Sequence, residues 1–242
     1  MPINVTGLNV EIFADGADLE TMVALAADRG IKGFTTNPTL MRQAGISDYE
    51  GFGRKVLEVI TDRPISFEVF SDDFAEMERQ ARFIASWGPN VFVKVPVTNT
   101  QGDSSRDLVR KLSGDGVQLN VTALMTIAQV EIMAEALQNG PSSFVSVFAG
   151  RIADTGVDPI PAMRDSLAIL RAFPQLRLIW ASPREVLNIV QAHELGCHVI
   201  TVTNDLLKKL PGLGKDLTRF SLETVDMFFR DGLAAGYTLA ER

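Results

Sequence analysis

Eight short apolar runs recur at intervals of roughly 20 to 35 residues, and this rhythm constrains the fold more than any other feature of the chain. They are VEIFA (10–14), IKGF (31–34), ISFEVF (65–70), VFVKV (91–95), VQLNV (117–121), FVSVF (144–148), RLIWA (177–181) and HVITV (198–202). Each is rich in β-branched or aromatic residues and bounded by turn residues, so each predicts a buried strand. The segments between them carry helical spacing. LETMVALAADRG presents Leu19, Met22, Val23 and Ala26 on one face and stops at Gly30. DDFAEMERQARFIASWG presents Phe74, Met77, Ala81 and Ile84, and TIAQVEIMAEALQNG ends at another glycine. Apolar residues at i, i+3 and i+4 with a terminal glycine predict amphipathic helices that cover a sheet.

Eight strands, each followed by a helix, predict a parallel α/β fold. The count of eight over 242 residues favours a closed (β/α)8 TIM barrel, which commonly takes about 250 residues as one unit. An open doubly wound sheet is the alternative, but no strand is followed by GxGxxG or a P-loop pattern. No low-complexity tract or Pro/Ser-rich linker divides the chain, so residues 1–242 are expected to form a single domain. The last helical stretch, 218–231, has no strand after it. Its Phe220, Leu222, Val225, Phe228 and Phe229 either complete the outer ring of helices or pack on another subunit.

Charge narrows the partners. A net charge of -7 and a pI near 4.9 argue against affinity for nucleic acid or anionic membrane, although a few placed arginines still bind an anion locally. The stretch MPINVTGLNVEIFADGAD lacks the basic and apolar regions of a signal peptide, and no run of membrane-spanning length follows, so a cytoplasmic protein is expected. The only cysteine, Cys197, excludes an intrachain disulfide, suits a reducing compartment and reads as a small buried residue. His193 and His198 stand apart from the carboxylates in sequence, and no metal site is expected.

In a barrel the chemistry sits at the C-terminal ends of the strands and on the loops that follow. Those positions hold Asp15, Asn37, Glu68, Lys94, Asn120, Thr122, Ser146, Arg151, Ser182 and Arg184, in strand order. A purely structural barrel has no reason to place ionisable groups at the same end of successive buried strands. Lys94 is the centre of the series. Strand alternation puts Phe92 and Lys94 on one face and Val91, Val93 and Val95 on the other, so the valines face the helices and Lys94 points into the barrel. Desolvation disfavours its ammonium and favours a neutral amine able to attack a carbonyl and form a Schiff base. The other outcome is a lysine held by a buried carboxylate such as Glu68 or Asp15.

Glu68 lies among Phe67, Val69 and Phe70, where a carboxyl group can exchange protons near neutrality. Asp15 can do the same or protonate a sugar hydroxyl. It can also cap a helix, a role for which Asp18 is better placed. Asn37 before Pro38 also reads as a turn, and Arg151 and Arg184 also read as surface charges. Two arginines after adjacent strands nevertheless make a clamp for a phosphate or similar dianion.

Taken in order, FADGAD, GFTTNPTL, ISFEV, VFVKVPVT, LNVTALMT, SVFAGRIAD and WASPRE run through most of the chain. This ordered set resembles the transaldolases, particularly the short bacterial and archaeal kind that shades into the fructose-6-phosphate aldolases. The resemblance implies a class I aldolase-type barrel with no cofactor, in which Lys94 forms the Schiff base, Asp15 transfers protons, and Glu68 with Thr122 positions a water. It implies that Asn37, Asn120 and Ser146 bind the dihydroxyacetone part, and that Arg151 and Arg184, with Ser182 between the two in sequence, hold the phosphate end. The implied reaction moves a dihydroxyacetone unit from a ketose phosphate, such as fructose 6-phosphate or sedoheptulose 7-phosphate, to an aldose phosphate. That reaction belongs to the pentose phosphate pathway, and the family implies a homo-oligomer.

Glu68 and Phe148 stand where the aldolase branch carries glutamine and tyrosine, which favours transfer over simple cleavage. Three positions depart from the usual transaldolase pattern: Val147 replaces a proline, Pro183 replaces an aromatic, and Trp180 is bulkier than expected. They bear on the phosphate end and leave open a sulfonated ketose or a different sugar length. The remaining alternatives are an aldolase that releases free dihydroxyacetone and a non-catalytic binding barrel.

Overall fold

The computed structural model describes residues 7–239; residues 1–6, part of the stretch read for a leader, lie outside the described residues. Eight parallel strands close on one another in chain order. They are β1 Glu11–Asp15, β2 Ile31–Thr35, β3 Ile65–Glu68, β4 Val91–Pro96, β5 Leu119–Leu124, β6 Ser143–Val147, β7 Leu176–Trp180 and β8 Val199–Thr203. The TIM barrel expected from the apolar rhythm is therefore the fold. The helices are α1 Leu19–Ala26, α2 Pro38–Gln43, α3 Tyr49–Val59, α4 Phe74–Ala85, α5 Arg106–Gly114 and α6 Ile127–Leu137. They continue as α7 Ala149–Asp154, α8 Pro159–Leu170, α9 Leu187–Leu195, α10 Asn204–Leu207 and α11 Leu217–Ala234.

Aspartates set several of the helix starts. Asp18, Asp48, Asp73 and Asp216 each accept a hydrogen bond from the backbone N–H three residues on. Each satisfies one of the donors that a helix N-terminus leaves unpaired. Asp18 thus takes the capping role, and Asp15 is left to face the barrel. The glycines expected to stop helices lie three or four residues past the last helical turn, in the loops to the next strand.

Two expectations about packing need correction. In α1 only Met22 is buried and Val23 is 41% exposed, because apolar residues surround this short helix and just one side meets the strands. In the third run the strand ends at Glu68, and Phe70 is 60% exposed on the loop beyond.

The core has two layers. Val91, Val93 and Val95 join the large shell between strands and helices, as strand alternation requires. Inside the barrel Phe13, Phe92, Phe144, Ile179 and Val199 form a separate plug. Phe144 meets Phe13 edge-on at 5.5 Å and Phe92 at 4.6 Å between centroids. Gly33 makes room for this plug, since a β-carbon there would lie 2.6 Å from the Phe13 ring. The plug closes the lower barrel, and polar side chains occupy the strand ends above it.

Among the described residues no helix is long and apolar enough to cross a membrane. Cys197 is buried, and burial pushes its thiol up to about 12. No residue of α11 is buried; Phe228 and Phe229 are each 64% exposed.

Candidate active site

Strand register places the charged groups. Lys94 on β4 stands beside Glu68 on β3 and Asn120 on β5. Its Nζ lies 2.9 Å from Glu68 Oε2 and donates to the Thr36 carbonyl at 3.0 Å. Lys94 is only 6% exposed, so its charge meets protein partners almost exclusively. Of the two carboxylates expected to hold Lys94, Glu68 is the one that does, with its side chain partly exposed to the cavity.

A cavity of about 490 Å³ opens over this pair at the C-terminal end of the barrel. All ten residues singled out at the strand ends line it: Asp15, Asn37, Glu68, Lys94, Asn120, Thr122, Ser146, Arg151, Ser182 and Arg184. A larger groove of about 630 Å³ lies on the outer flank, between α1 and the segment 204–211, with a mostly apolar lining. The smaller cavity is the better candidate, because ionisable groups from most of the strands converge there.

On one wall, Ser146 donates to Asn120 Oδ1 at 2.7 Å and Asn120 Nδ2 donates to Ser66 Oγ at 3.0 Å. Asn37 caps α2 by accepting from the Leu40 N–H at 2.9 Å, so the turn reading of Asn-Pro holds while the residue also lines the cavity. Thr122 Oγ1 is buried and has no hydrogen-bond partner in the protein, which leaves it available to a molecule in the cavity.

Asp15 accepts from Thr35 Oγ1 at 2.7 Å. Burial pushes the Asp15 carboxyl above its usual range; Lys94 and the Thr35 hydroxyl pull it back, and Glu68 adds to the rise. Asp15 is therefore readier than an ordinary aspartate to hold a proton near neutrality.

The two arginines meet at one rim, from α7 and from the loop after β7. Arg184 is not free: Nε bonds to Asp154 Oδ1 at 2.9 Å, and Nη2 pairs with Asp154 Oδ2. Ser182, between Ala181 and Pro183, has a left-handed backbone with φ 61°, a costly conformation for a residue other than glycine. Gly150 makes this turn possible, because a β-carbon there would come within 1.5 Å of the Ser182 carbonyl. Of the three departures noted above, Val147 and Trp180 face the outer shell, and Pro183 alone lines the cavity.

Thr35, the Thr36 carbonyl, Asp154, Thr201 and Thr203 also belong to this neighbourhood and escaped the strand-end reading. Asp154 had a signal, since it follows Arg151 by one helical turn. His193 and His198 accept backbone N–H bonds from Asn9 and Leu178. Among the described residues no group of three His, Cys, Asp or Glu is arranged to hold a metal ion.

The family described as transaldolase/fructose-6-phosphate aldolase matches this chain over residues 12–238. The chain belongs to that family. A "Probable transaldolase" of Dehalococcoides mccartyi is 34% identical over 202 residues, covering 83% of this chain and 90% of that protein. Another, of Herpetosiphon aurantiacus, is 33% identical over 204 residues, with 83% and 87% covered. Among solved structures, orotidine 5'-monophosphate decarboxylase from Metallosphaera sedula aligns with a TM-score of 0.54 at 13% identity, covering 84% of this chain and 96% of that one. That likeness concerns the barrel alone. The family relatives support an enzyme of aldolase type.

The Asp15 environment generates a stability prediction. The folded site holds the Asp15 proton more tightly than the unfolded chain does, so stability falls as pH rises from the ordinary aspartate value of about 4 through the raised folded value. Asp15→Asn removes that loss. The variant should melt above the wild type at pH 7 to 8, with the gap closing toward pH 4; a pH-independent gap in melting temperature would contradict the assignment.

Proposed function

We propose that the protein is a transaldolase that carries a dihydroxyacetone unit as a Schiff base on Lys94. The observation behind this reading is the buried Lys94 paired with Glu68 at the floor of a polar cavity. Glu68 accepts the Lys94 proton, and the freed amine attacks the C2 carbonyl of a ketose phosphate. The carbinolamine loses water, protonated by way of Glu68 with Thr122 orienting the water, to give an iminium ion. The Asp15 carboxylate then takes the C4-hydroxyl proton. The C3–C4 bond breaks, its electron pair flows into the iminium as an enamine, and an aldose phosphate leaves. The enamine attacks an acceptor aldehyde, whose oxygen takes the proton from Asp15, and water releases the new ketose.

Asn37, Asn120 and Ser146 bind the hydroxyls of the three-carbon unit, while Arg151, Ser182 and Arg184 hold the phosphate. Fructose 6-phosphate and sedoheptulose 7-phosphate are the proposed donors, in the pentose phosphate pathway of the cytoplasm. Phe148 supports transfer over cleavage, since a phenyl ring at the cavity edge cannot protonate the enamine. Without an acceptor, the donor should be cleaved for about one turnover per site, and Lys94→Met should lower transfer by at least about a thousandfold. Rapid multiple-turnover release of dihydroxyacetone without acceptor would make the protein an aldolase. Undiminished activity of Lys94→Met would remove the mechanism.

We also infer that residues 1–242 act as one barrel domain within a homo-oligomer. The exposed Phe220, Leu222, Val225, Phe228 and Phe229 of α11 form an apolar surface that an isolated helix in water does not sustain. The groove lined by Val10, Ile12, Leu25, Ile31, Leu207 and Leu210 offers a complementary surface on a second copy. Sedimentation should find an assembly for the wild-type chain and smaller species for Phe228→Asp. A monomeric wild-type chain at micromolar concentration would contradict it.

A further inference from the structure

The strand that carries Glu68 loses its neighbour just where Glu68 begins. Phe34 N–H donates to the Pro64 carbonyl at 2.9 Å and Thr36 N–H to the Ser66 carbonyl at 3.0 Å, which sets the phase of the β2–β3 ladder. The next rung in that phase would join Glu68 N–H to the Thr36 carbonyl, and the Glu68 carbonyl to the N–H of residue 38. Neither bond forms. The Thr36 carbonyl accepts from Lys94 Nζ, and residue 38 is a proline with no N–H.

One side chain replaces both. The Tyr49 hydroxyl donates to the Glu68 carbonyl at 2.7 Å and accepts from the Glu68 N–H at 2.8 Å. Tyr49 is the first residue of α3, whose start is fixed by the Asp48 cap. Its ring packs on Phe70 at 5.2 Å and Trp87 at 6.1 Å between centroids. Burial holds the phenol far above its ordinary pKa, so the hydroxyl stays protonated and keeps its donor across the working pH range.

We propose that Tyr49 is a positioning residue of this site: its hydroxyl stands in for the missing β2 rung and fixes the Glu68 backbone so that the carboxylate stays opposite Lys94. A half-buried N–H and C=O left without a partner would pull the end of β3 toward water or toward Thr36, and either shift moves the carboxylate relative to Nζ. The proposal rests on the reading of Glu68 as the group that exchanges protons with Lys94 and the bound water.

Tyr49→Phe tests it, with two readouts on the full chain. Backbone amide exchange followed by NMR should show the Glu68 N–H exchanging at least about tenfold faster, with Val69, whose N–H bonds to the Lys94 carbonyl, unchanged. Steady-state transfer from fructose 6-phosphate to an aldose phosphate should show kcat lowered by about tenfold at unchanged donor KM, since substrate contacts stay and proton transfer loses its geometry. An unchanged kcat would overturn the proposal, and so would a lowered kcat with an unaltered Glu68 amide. If the wild type shows no aldol transfer, the functional reading fails, and the Glu68 amide decides the structural part of the assignment.

Discussion

Lys94 and Glu68 face each other at 2.9 Å inside the barrel, above an apolar plug and among polar strand-end side chains. Desolvating such a pair costs several kcal/mol per ion, and mutual attraction often fails to repay it, so stability alone does not explain its presence. Much of the surrounding structure serves this pair. The Phe13–Phe92–Phe144 plug supports it from below. The Thr36 carbonyl, beyond the end of β2, accepts from Lys94 Nζ as a second contact beside Glu68. β2 and β3 no longer pair at Glu68, and Tyr49 comes in from outside the barrel to satisfy its backbone.

The other end of the cavity is built on different physics. Arg184 lies in a bidentate arrangement with Asp154, which holds the guanidinium plane in place. Burial contributes little here, and the geometry is set instead by the left-handed Ser182 turn seated on Gly150. Pro183 follows that turn directly and lines the cavity beside Arg184. The two departures at Val147 and Trp180 face the outer shell and therefore alter packing rather than the lining of the cavity.

Most of the fold was legible because a TIM barrel repeats one signal eight times, and errors at single strands do not disturb the count. The third strand was read too long: the strand ends at Glu68, Val69 keeps one bond to β4, and Phe70 lies exposed beyond it. The cavity was legible because alternation fixes which face each strand-end residue takes, and all ten candidates line one space. Alternation does not fix register, so the choice of Glu68 over Asp15 as the partner of Lys94 needed the barrel. Asp154, Thr36 and Tyr49 escaped for distinct reasons. The first acts through an arginine, the second through a backbone carbonyl, and the third from a helix about twenty residues before its partner.

The central claim is that the Lys94 amine forms a covalent imine with a ketose, and trapping that imine tests it most directly. Borohydride added to the enzyme with fructose 6-phosphate should fix an adduct, and peptide mass mapping should locate it on Lys94, with none formed when the sugar is absent. An adduct on a different lysine, or no adduct from an enzyme that turns over the sugar, would contradict the account.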